Sequence, residues 1–368
     1  MPKIVVEQPI YVPVLKGKEG EYAALEALPA NVRTDLMPLI EVSDVPYDYA
    51  NEGSTKSLDQ HVSGIADRLR KCWHDRPLYL DLPWFEGEER LSSGEVALKA
   101  VLRDCSERGV KAVPVVSRKK SPDYLAAAGS YSTSVRSGIC IRLVVADFEE
   151  DVDLEAEIDR LLGLAGGGDT SQIDLVLDLE DLGPDTGRAL LVARSLFSMI
   201  PTKDKWRRIV LVAASFPEDL SDVDAATITT LPRREWDLWK TLQRRQGLLP
   251  RRDLIFGDYG IAHPIPKELD PRTMRMSASI RYTTAKNWLV LKGRNVRQYG
   301  FDQYFELCKA LVERPEYLGR DFSWGDQYIS DCAEGMTGPG NATTWRKVGT
   351  NHHLTMVAEQ VANLRPAA

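Results

Sequence analysis

Alternation inside short apolar runs places several charged side chains where chemistry could be done. In Leu78-Tyr79-Leu80-Asp81-Leu82 the leucines recur at every second position, so Asp81 must point to the opposite face of an extended chain. The same period turns Asp178 and Glu180 away from the leucines of Leu175-Val176-Leu177-Asp178-Leu179-Glu180. Applied to Pro38-Leu39-Ile40-Glu41-Val42 it selects Glu41, and applied to Ile139-Cys140-Ile141-Arg142-Leu143 it selects Arg142. Lys16, Lys18, Ser117, Ser215 and Asp258 stand at the C-terminal ends of further runs. Carboxylates converging on one point suit a hard cation such as Mg²⁺, and paired acids whose pKa values are driven apart suit general acid–base work. Lys16, Lys18 and Arg142 in the same place would hold an anion, with Glu41, Asp81, Asp178 or Asp258 as acid, base or metal ligand. The bland alternative is a layer of salt bridges that fills the space between strands.

The elements that would position these side chains follow from the same runs. Eight are present: Tyr11 to Leu15, Met37 to Val42, Leu78 to Leu82, Ala112 to Val116, Ile139 to Val144, Leu175 to Leu179, Ile209 to Ala213 and Leu254 to Asp258. Helical periods lie between them, at Glu19 to Leu28, Ser57 to Trp73, Ser93 to Arg108, Asp153 to Leu164, Asp185 to Ile200 and Arg233 to Gln243, with the weakest over Pro122 to Tyr131. Such βα repetition predicts an α/β fold, a (β/α)₈ TIM-type barrel over residues 1–275. A doubly wound open sheet is the rival, disfavoured because no strand leads through GxGxxG into a helix. On the barrel, the polar strand ends gather at the C-terminal mouth, the face on which barrel enzymes place their active sites.

Past the eighth run the pattern changes. Ser277 to Thr283 and Asn287 to Lys292, joined by Thr284-Ala285-Lys286, read as a β-hairpin, and Phe301 to Glu313 reads as a helix stopped by Pro315. A glycine-rich stretch, Gly335 to Gly340, leads to a terminal helix from about Leu354 to Leu364. Residues 276–368 are therefore expected to form an appendage packed on the barrel, with one late helix supplying the missing barrel helix. His352-His353 would sit at the N-terminus of that helix behind Thr350 and Asn351, a place that can bind an anion through backbone N–H groups. Gly166-Gly167-Gly168 reads as a loop between helix and strand.

Composition narrows the classes further. The 368 residues are 43% hydrophobic and 27% charged, which excludes a disordered chain. No run approaches the roughly 18 apolar residues of a membrane span, and the first residues lack a signal-peptide pattern, so a cytoplasmic protein without membrane contact is expected. Five cysteines lie far apart with no CxxC pair, which fits reduced, scattered thiols. His61, His74 and His263 fall on a helix or in loops and read as ordinary histidines, so a histidine-ligated metal is not expected. A net charge of −7 opposes whole-surface attraction to nucleic acid. Locally, Arg281, Tyr282, Lys286, Trp288, Lys292, Arg294 and Arg297 interleave cations with aromatics, as a strand-binding surface does and as an amphipathic hairpin packed on its barrel also does. Arg118-Lys119-Lys120 could rim a site for a phosphorylated ligand or form a solvated loop.

Tyr11-Val12-Pro13-Val14-Leu15-Lys16-Gly17-Lys18-Glu19-Gly20-Glu21 with Ala24-Leu25, then Pro38-Leu39-Ile40-Glu41, Phe256-Gly257-Asp258-Tyr259, Gly340-Asn341, Trp345-Arg346 and Asn351-His352-His353, in that order, resemble the phage "beta protein" family over nearly the whole chain. That family occurs in tailed phages and bacterial genomes, commonly near mobile or defence-associated genes, and carries no settled biochemical activity. The resemblance implies a phage–host setting and marks Lys16, Lys18, Glu21, Glu41, Asp258, Tyr259, Trp345, Arg346 and His353. Tyr259, Trp345, Arg346 and His353 thereby join Lys16, Lys18 and Arg142 as expected ligand contacts.

Three functions are open on this reading. One is a barrel that binds, and can act on, a small anionic or phosphorylated ligand such as a nucleotide at its mouth. Another is a non-catalytic scaffold whose appendage docks a partner protein through an exposed aromatic patch around the hairpin. The third is nucleic-acid binding through the hairpin and C-terminal segment.

Overall fold

The computed structural model describes residues 9–48, 52–148, 153–166, 172–201, 206–244, 254–265 and 276–364. The elements run in the order β1 (Tyr11–Leu15), α1 (Glu19–Glu26), α2 (Ala30–Asp35), β2 (Leu39–Glu41), β3 (Tyr47–Asp48), β4 (Gly53–Ser54), α3 (Leu58–Val62), α4 (Ile65–Trp73), β5 (Pro77–Asp81), α5 (Ala97–Glu107), β6 (Lys111–Val116), α6 (Pro122–Val135) and β7 (Ile139–Val144). They continue with α7 (Leu154–Leu164), β8 (Ile173–Asp181), α8 (Thr186–Met199), β9 (Arg208–Ala214), β10 (Thr227–Pro232), α9 (Arg234–Gln243), β11 (Ile255–Asp258), β12 (Ser277–Thr283), β13 (Asn287–Asn295), α10 (Val296–Tyr299), α11 (Gln303–Val312), α12 (Trp324–Ala333) and α13 (Ala342–Ala362).

Eight parallel strands close into a barrel in the order β1-β11-β9-β8-β7-β6-β5-β2. The expected (β/α)₈ architecture is therefore the observed one. Its strands are Val-, Ile- and Leu-rich because both faces are buried, one under the helices and one inside the barrel. Alternation sorts the two faces. Ile40, Leu80, Ile141, Leu175 and Leu177 join the core under the helices, while Val14, Leu39, Tyr79, Val113, Cys140, Val176 and Val212 fill the interior. Below that apolar filling, Asp174 accepts bonds from Arg207 (2.7 Å) and Tyr79 (2.8 Å), with Arg208 at 3.2 Å. Above it, at the C-terminal ends of the strands, lie Glu41, Asp81, Arg142 and Asp178. The interior is thus a packed core in layers with a charged layer at each end.

Several expected boundaries move. The helix expected over Ser57 to Trp73 divides at Ser63-Gly64 into α3, capped by Ser57, and α4. The one expected from Ser93 starts at Ala97, because Gly94 takes a positive φ of 81°. Over Pro122 to Tyr131 the weak period belongs to a full helix, α6, which Ser121 caps and which continues to Val135. Gly167 and Gly168 of the expected glycine loop lie outside the described residues.

Beyond β11 the hairpin forms as expected, but it is part of a three-stranded sheet, β10-β13-β12. Its outer strand β10 comes from the segment between β9 and α9, and pairs antiparallel with β13 from Thr227↔Lys292 to Pro232↔Asn287. The terminal helix starts at Ala342, behind Asn341, whose side chain accepts from Thr344 N. His352 and His353 therefore lie in mid-helix and fully buried, and the expected anion site at a helix start there does not exist. Leu354, Val357, Ala358 and Val361 carry α13 into the main core beside Leu25 and Phe256. In this way α13 packs against α1 and β1 of the barrel.

Candidate functional site

Arg142 is the centre of the mouth. Its Nη1 lies 2.8 Å from Glu41 Oε1 and 2.7 Å from Asp81 Oδ2. Nη2 donates to Asp178 Oδ2 (2.6 Å) and to the Tyr259 hydroxyl (2.7 Å), and Nε donates to Asp178 (3.0 Å). The Tyr259 hydroxyl in turn donates to Asp178 Oδ2 at 2.5 Å, and Lys16 pairs with Glu41 while its ammonium sits 4.7 Å over the Tyr259 ring. The guanidinium fork suits this task, because it can give several carboxylates in-plane N–H groups at once.

The electrostatics follow from the burial. Burial alone would raise the Glu41 carboxyl, but Arg142 and Lys16 outweigh it and hold Glu41 below the usual carboxylate range. Burial raises the Tyr259 phenol well above its ordinary value against the pull of Arg142, so the hydroxyl stays a donor. Two cations, Arg142 and Lys16, thus face three carboxylates, Glu41, Asp81 and Asp178.

Glu180 differs from these. It follows Asp178 in β8, where the pairing with β9 shifts register between Asp178 and Asp181, and its φ is +52°. Its backbone N–H donates to Asp178 Oδ1 at 2.9 Å, its carboxylate has no hydrogen-bond or ion-pair partner among the described residues, and it is half-buried. Burial, with the Asp178 charge beside it, pushes its pKa up. A left-handed backbone at a non-glycine residue costs on the order of 1–3 kcal/mol and persists only where its surroundings enforce it.

The remaining expected site residues lie elsewhere. Asp258 is buried but faces away from the barrel interior: Ile255 points inward, Phe256 outward, and Asp258 follows Phe256. It accepts from Tyr11 OH (2.6 Å), Gly260 N (3.0 Å) and His353 Nε2 (3.0 Å). Burial would raise that carboxyl, but His353, Arg233 and the Tyr11 bond together hold it low. His353 Nδ1 accepts a hydrogen bond from the Thr283 hydroxyl at 2.8 Å, so barrel, C-terminal helix and C-terminal sheet are joined by one buried chain of bonds. The neighbouring His352 bridges Asp326 (2.8 Å) and the Thr283 carbonyl (2.7 Å) and stacks on Tyr282 at 3.9 Å. Trp345 stacks on Tyr304 at 4.2 Å and donates to the Pro339 carbonyl, inside the C-terminal core. Arg346 reaches Glu21 at 3.2 Å and ties α13 to α1. Lys18 is exposed at the N-cap of α1. Ser215, also outward, donates to Glu235.

The basic cluster after β6 splits. Lys120 is buried and donates to the Leu82 and Phe85 carbonyls, Arg118 reaches Asp147 at 3.5 Å, and Lys119 is exposed. Among the hairpin aromatics Tyr282 and Trp288 are buried, so the patch that a docking or strand-binding hairpin would show is turned into the core. Among the described residues no group of three or more His, Cys, Asp and Glu side chains is placed to hold a metal ion. The carboxylates of the mouth turn onto Arg142 instead. Asp174 was not picked out from the sequence, although it stands four residues before Asp178 on the same strand and so shares its facing.

No helix among the described residues is long and apolar enough to cross a membrane. A family model described as Beta protein matches residues 11–359. No curated protein matches the chain.

Proposed function

The chain belongs to the Beta protein family, and we propose that it binds, and acts on, a small phosphorylated ligand such as a nucleotide at the C-terminal mouth of its barrel. The observation that carries this reading is Glu180, a half-buried carboxyl with a raised pKa and a left-handed backbone, beside a ring whose other members are paired. A carboxyl tuned upward next to fixed anions suits general acid–base work. Since Arg142 already spends its N–H groups on Glu41, Asp81, Asp178 and Tyr259, it acts as a positioning residue. The carboxylate surplus at the floor favours the hydroxyl or amino groups of a ligand, whereas its phosphate would meet the exposed Lys18 and Lys119 at the rim. The setting would be phage–host conflict, as the resemblance implies.

A thermal-shift screen against nucleotides, sugar phosphates and divalent cations tests this reading. A ligand at about 100 times its Kd adds about 2.7 kcal/mol of stability. The shift should shrink in Lys16→Ala and Glu180→Gln and survive in Asp258→Ala, which faces away from the mouth. If no compound shifts the protein, or if the shift is indifferent to Lys16 and Glu180, the mouth is a structural plug and the reading fails.

A further inference from the structure

Arg281, in the middle of β12, is a cation without a counter-charge. Its Nη1 donates to the Ile261 carbonyl at 2.7 Å, and its guanidinium lies 4.7 Å over the Phe216 ring, so the side chain reaches the segments that follow β11 and β9. Among the described residues it makes no ion pair and no second side-chain hydrogen bond, which leaves Nε and Nη2 with N–H groups unspent. A purely structural cation would spend them on carbonyls, as the buried Lys120 spends its ammonium on Leu82 and Phe85. Arg281 is half-buried, and taking a charge out of water without a partner is costly. Burial and the neighbouring Arg346 push its pKa down to about 10, and no nearby carboxylate offsets them.

Packing brings Arg346 to the same crevice. Gly349, one turn after Arg346 on α13, lies so close to β12 that a Cβ there would meet the Arg281 carbonyl at 3.1 Å and the Ile261 side chain at 2.7 Å. Arg346 rests on the first turn of α1, where a Cβ on Gly20 would meet its Cβ at 2.9 Å, and its Nη1 bonds Glu21 at 3.2 Å. Glu21 also accepts from Lys18 N at 3.1 Å, so among the described residues one carboxylate stands against Arg281, Arg346 and Lys18. Two residues before Ile261, Tyr259 faces the mouth with the Lys16 ammonium over its ring, so the crevice adjoins the mouth on the side of β1 and β11.

We propose that Arg281 and Arg346 form a phosphoryl-binding subsite in the crevice where the barrel mouth, α13 and the C-terminal sheet meet. This subsite rests on the phosphorylated ligand proposed for the mouth and fixes where its phosphate is held. Arg281, oriented by Ile261 and Phe216, offers free N–H groups in a planar fork, and Arg346 approaches from α13 while Glu21 steadies it. The phosphoryl group supplies the counter-charge that Arg281 lacks. The rest of the ligand then extends past Tyr259 and Lys16 toward the carboxylates of the mouth.

Inorganic phosphate titrated into the full chain at constant ionic strength, followed by ³¹P NMR, reads the subsite directly. The unaltered protein is expected to bind phosphate saturably, and Arg281→Gln and Arg346→Gln are each expected to raise the Kd at least about tenfold. Arg281→Lys keeps the charge without the fork and should recover only part of the affinity. Arg294→Gln, exposed on β13 of the same sheet, should leave binding as it was. Circular dichroism checks the fold of each variant, and if Arg281→Gln unfolds, Arg346→Gln, whose side chain reaches solvent, decides alone. Absence of saturable binding, or a Kd indifferent to both arginines, overturns the proposal. The two readings fail separately. Phosphate binding that needs Arg281 and Arg346 upholds the subsite even where no nucleotide shift depends on Glu180. A nucleotide shift that needs Glu180 but ignores both arginines keeps the mouth reading and overturns the subsite.

Discussion

Replacing Arg142 with alanine removes the one group that touches Glu41, Asp81, Asp178 and Tyr259 at once. Three carboxylates, Glu41, Asp81 and Asp178, would then be left with Lys16 as their remaining cation. Each pair of charges about 4 Å apart interacts by roughly 4 kcal/mol at an effective dielectric of about 20. Breaking a buried pair by removing one partner costs about 3–5 kcal/mol once relaxation is included. With about 2 °C of melting temperature per kcal/mol for a chain of this size, the variant should melt roughly 6–10 °C lower near pH 7. The pH dependence is more diagnostic. In the unaltered protein Glu41 is held below its ordinary value, so its contribution is fully present above the unfolded value and is lost only as pH falls through the lower folded one. In the variant the crowded carboxylates, short of their main cation, repel one another at neutral pH, and that repulsion is relieved as acid protonates them. The gap in melting temperature should therefore narrow between about pH 7 and about pH 5, and adding Asp178→Asn should recover part of it. Differential scanning fluorimetry across that range is sufficient. A loss below about 1 kcal/mol, or a gap that does not change with pH, would refute the view that Arg142 neutralises a buried anionic ring.

Two further outcomes follow from the joint between barrel and C-terminal region. Burial depresses the pKa of His353 despite Asp258, so its contribution is complete above the unfolded value of about 6.5 and is lost as pH falls toward the folded one. His353→Gln should remove that part of the acid-side slope, at most about 1.4 kcal/mol per pH unit, in chemical denaturation run at several pH values. Trp345→Ala should cost about 3–5 kcal/mol by the same assay, because it empties the stack on Tyr304. It should leave any ligand-induced thermal shift intact, since Trp345 lies in the C-terminal core.

Alternation is a local property, and it was legible wherever one face of a strand was apolar and the other held a charge. That is why Glu41, Asp81, Arg142 and Asp178 could be placed inside the barrel from their neighbours alone, and why repeated βα units identified the barrel. In Ile255-Phe256-Gly257-Asp258 the signal vanishes, because residues on both faces are apolar and nothing in the run distinguishes inward from outward. Only closure of β11 against β1 and β9 turns Asp258 toward Tyr11 and His353. The long C-terminal helix was hidden for a related reason. Gly349, Thr350 and Asn351 look like a helix boundary, yet Asn351 is satisfied by Gly325 N and the Ala24 carbonyl, and a Cβ on Gly349 would meet Ile261 at 2.7 Å. These residues answer to distant segments, and a local pattern does not contain distant segments. Strand β10 shows the same limit, since its partner β13 lies some sixty residues later in the chain. The residue types and their two-residue period determined which side chains enter the mouth. The tertiary structure decided that Arg142 is consumed by the carboxylates around it and that Glu180 is left unpaired, because only closure of the barrel brings β2, β5, β7, β8 and β11 to one point.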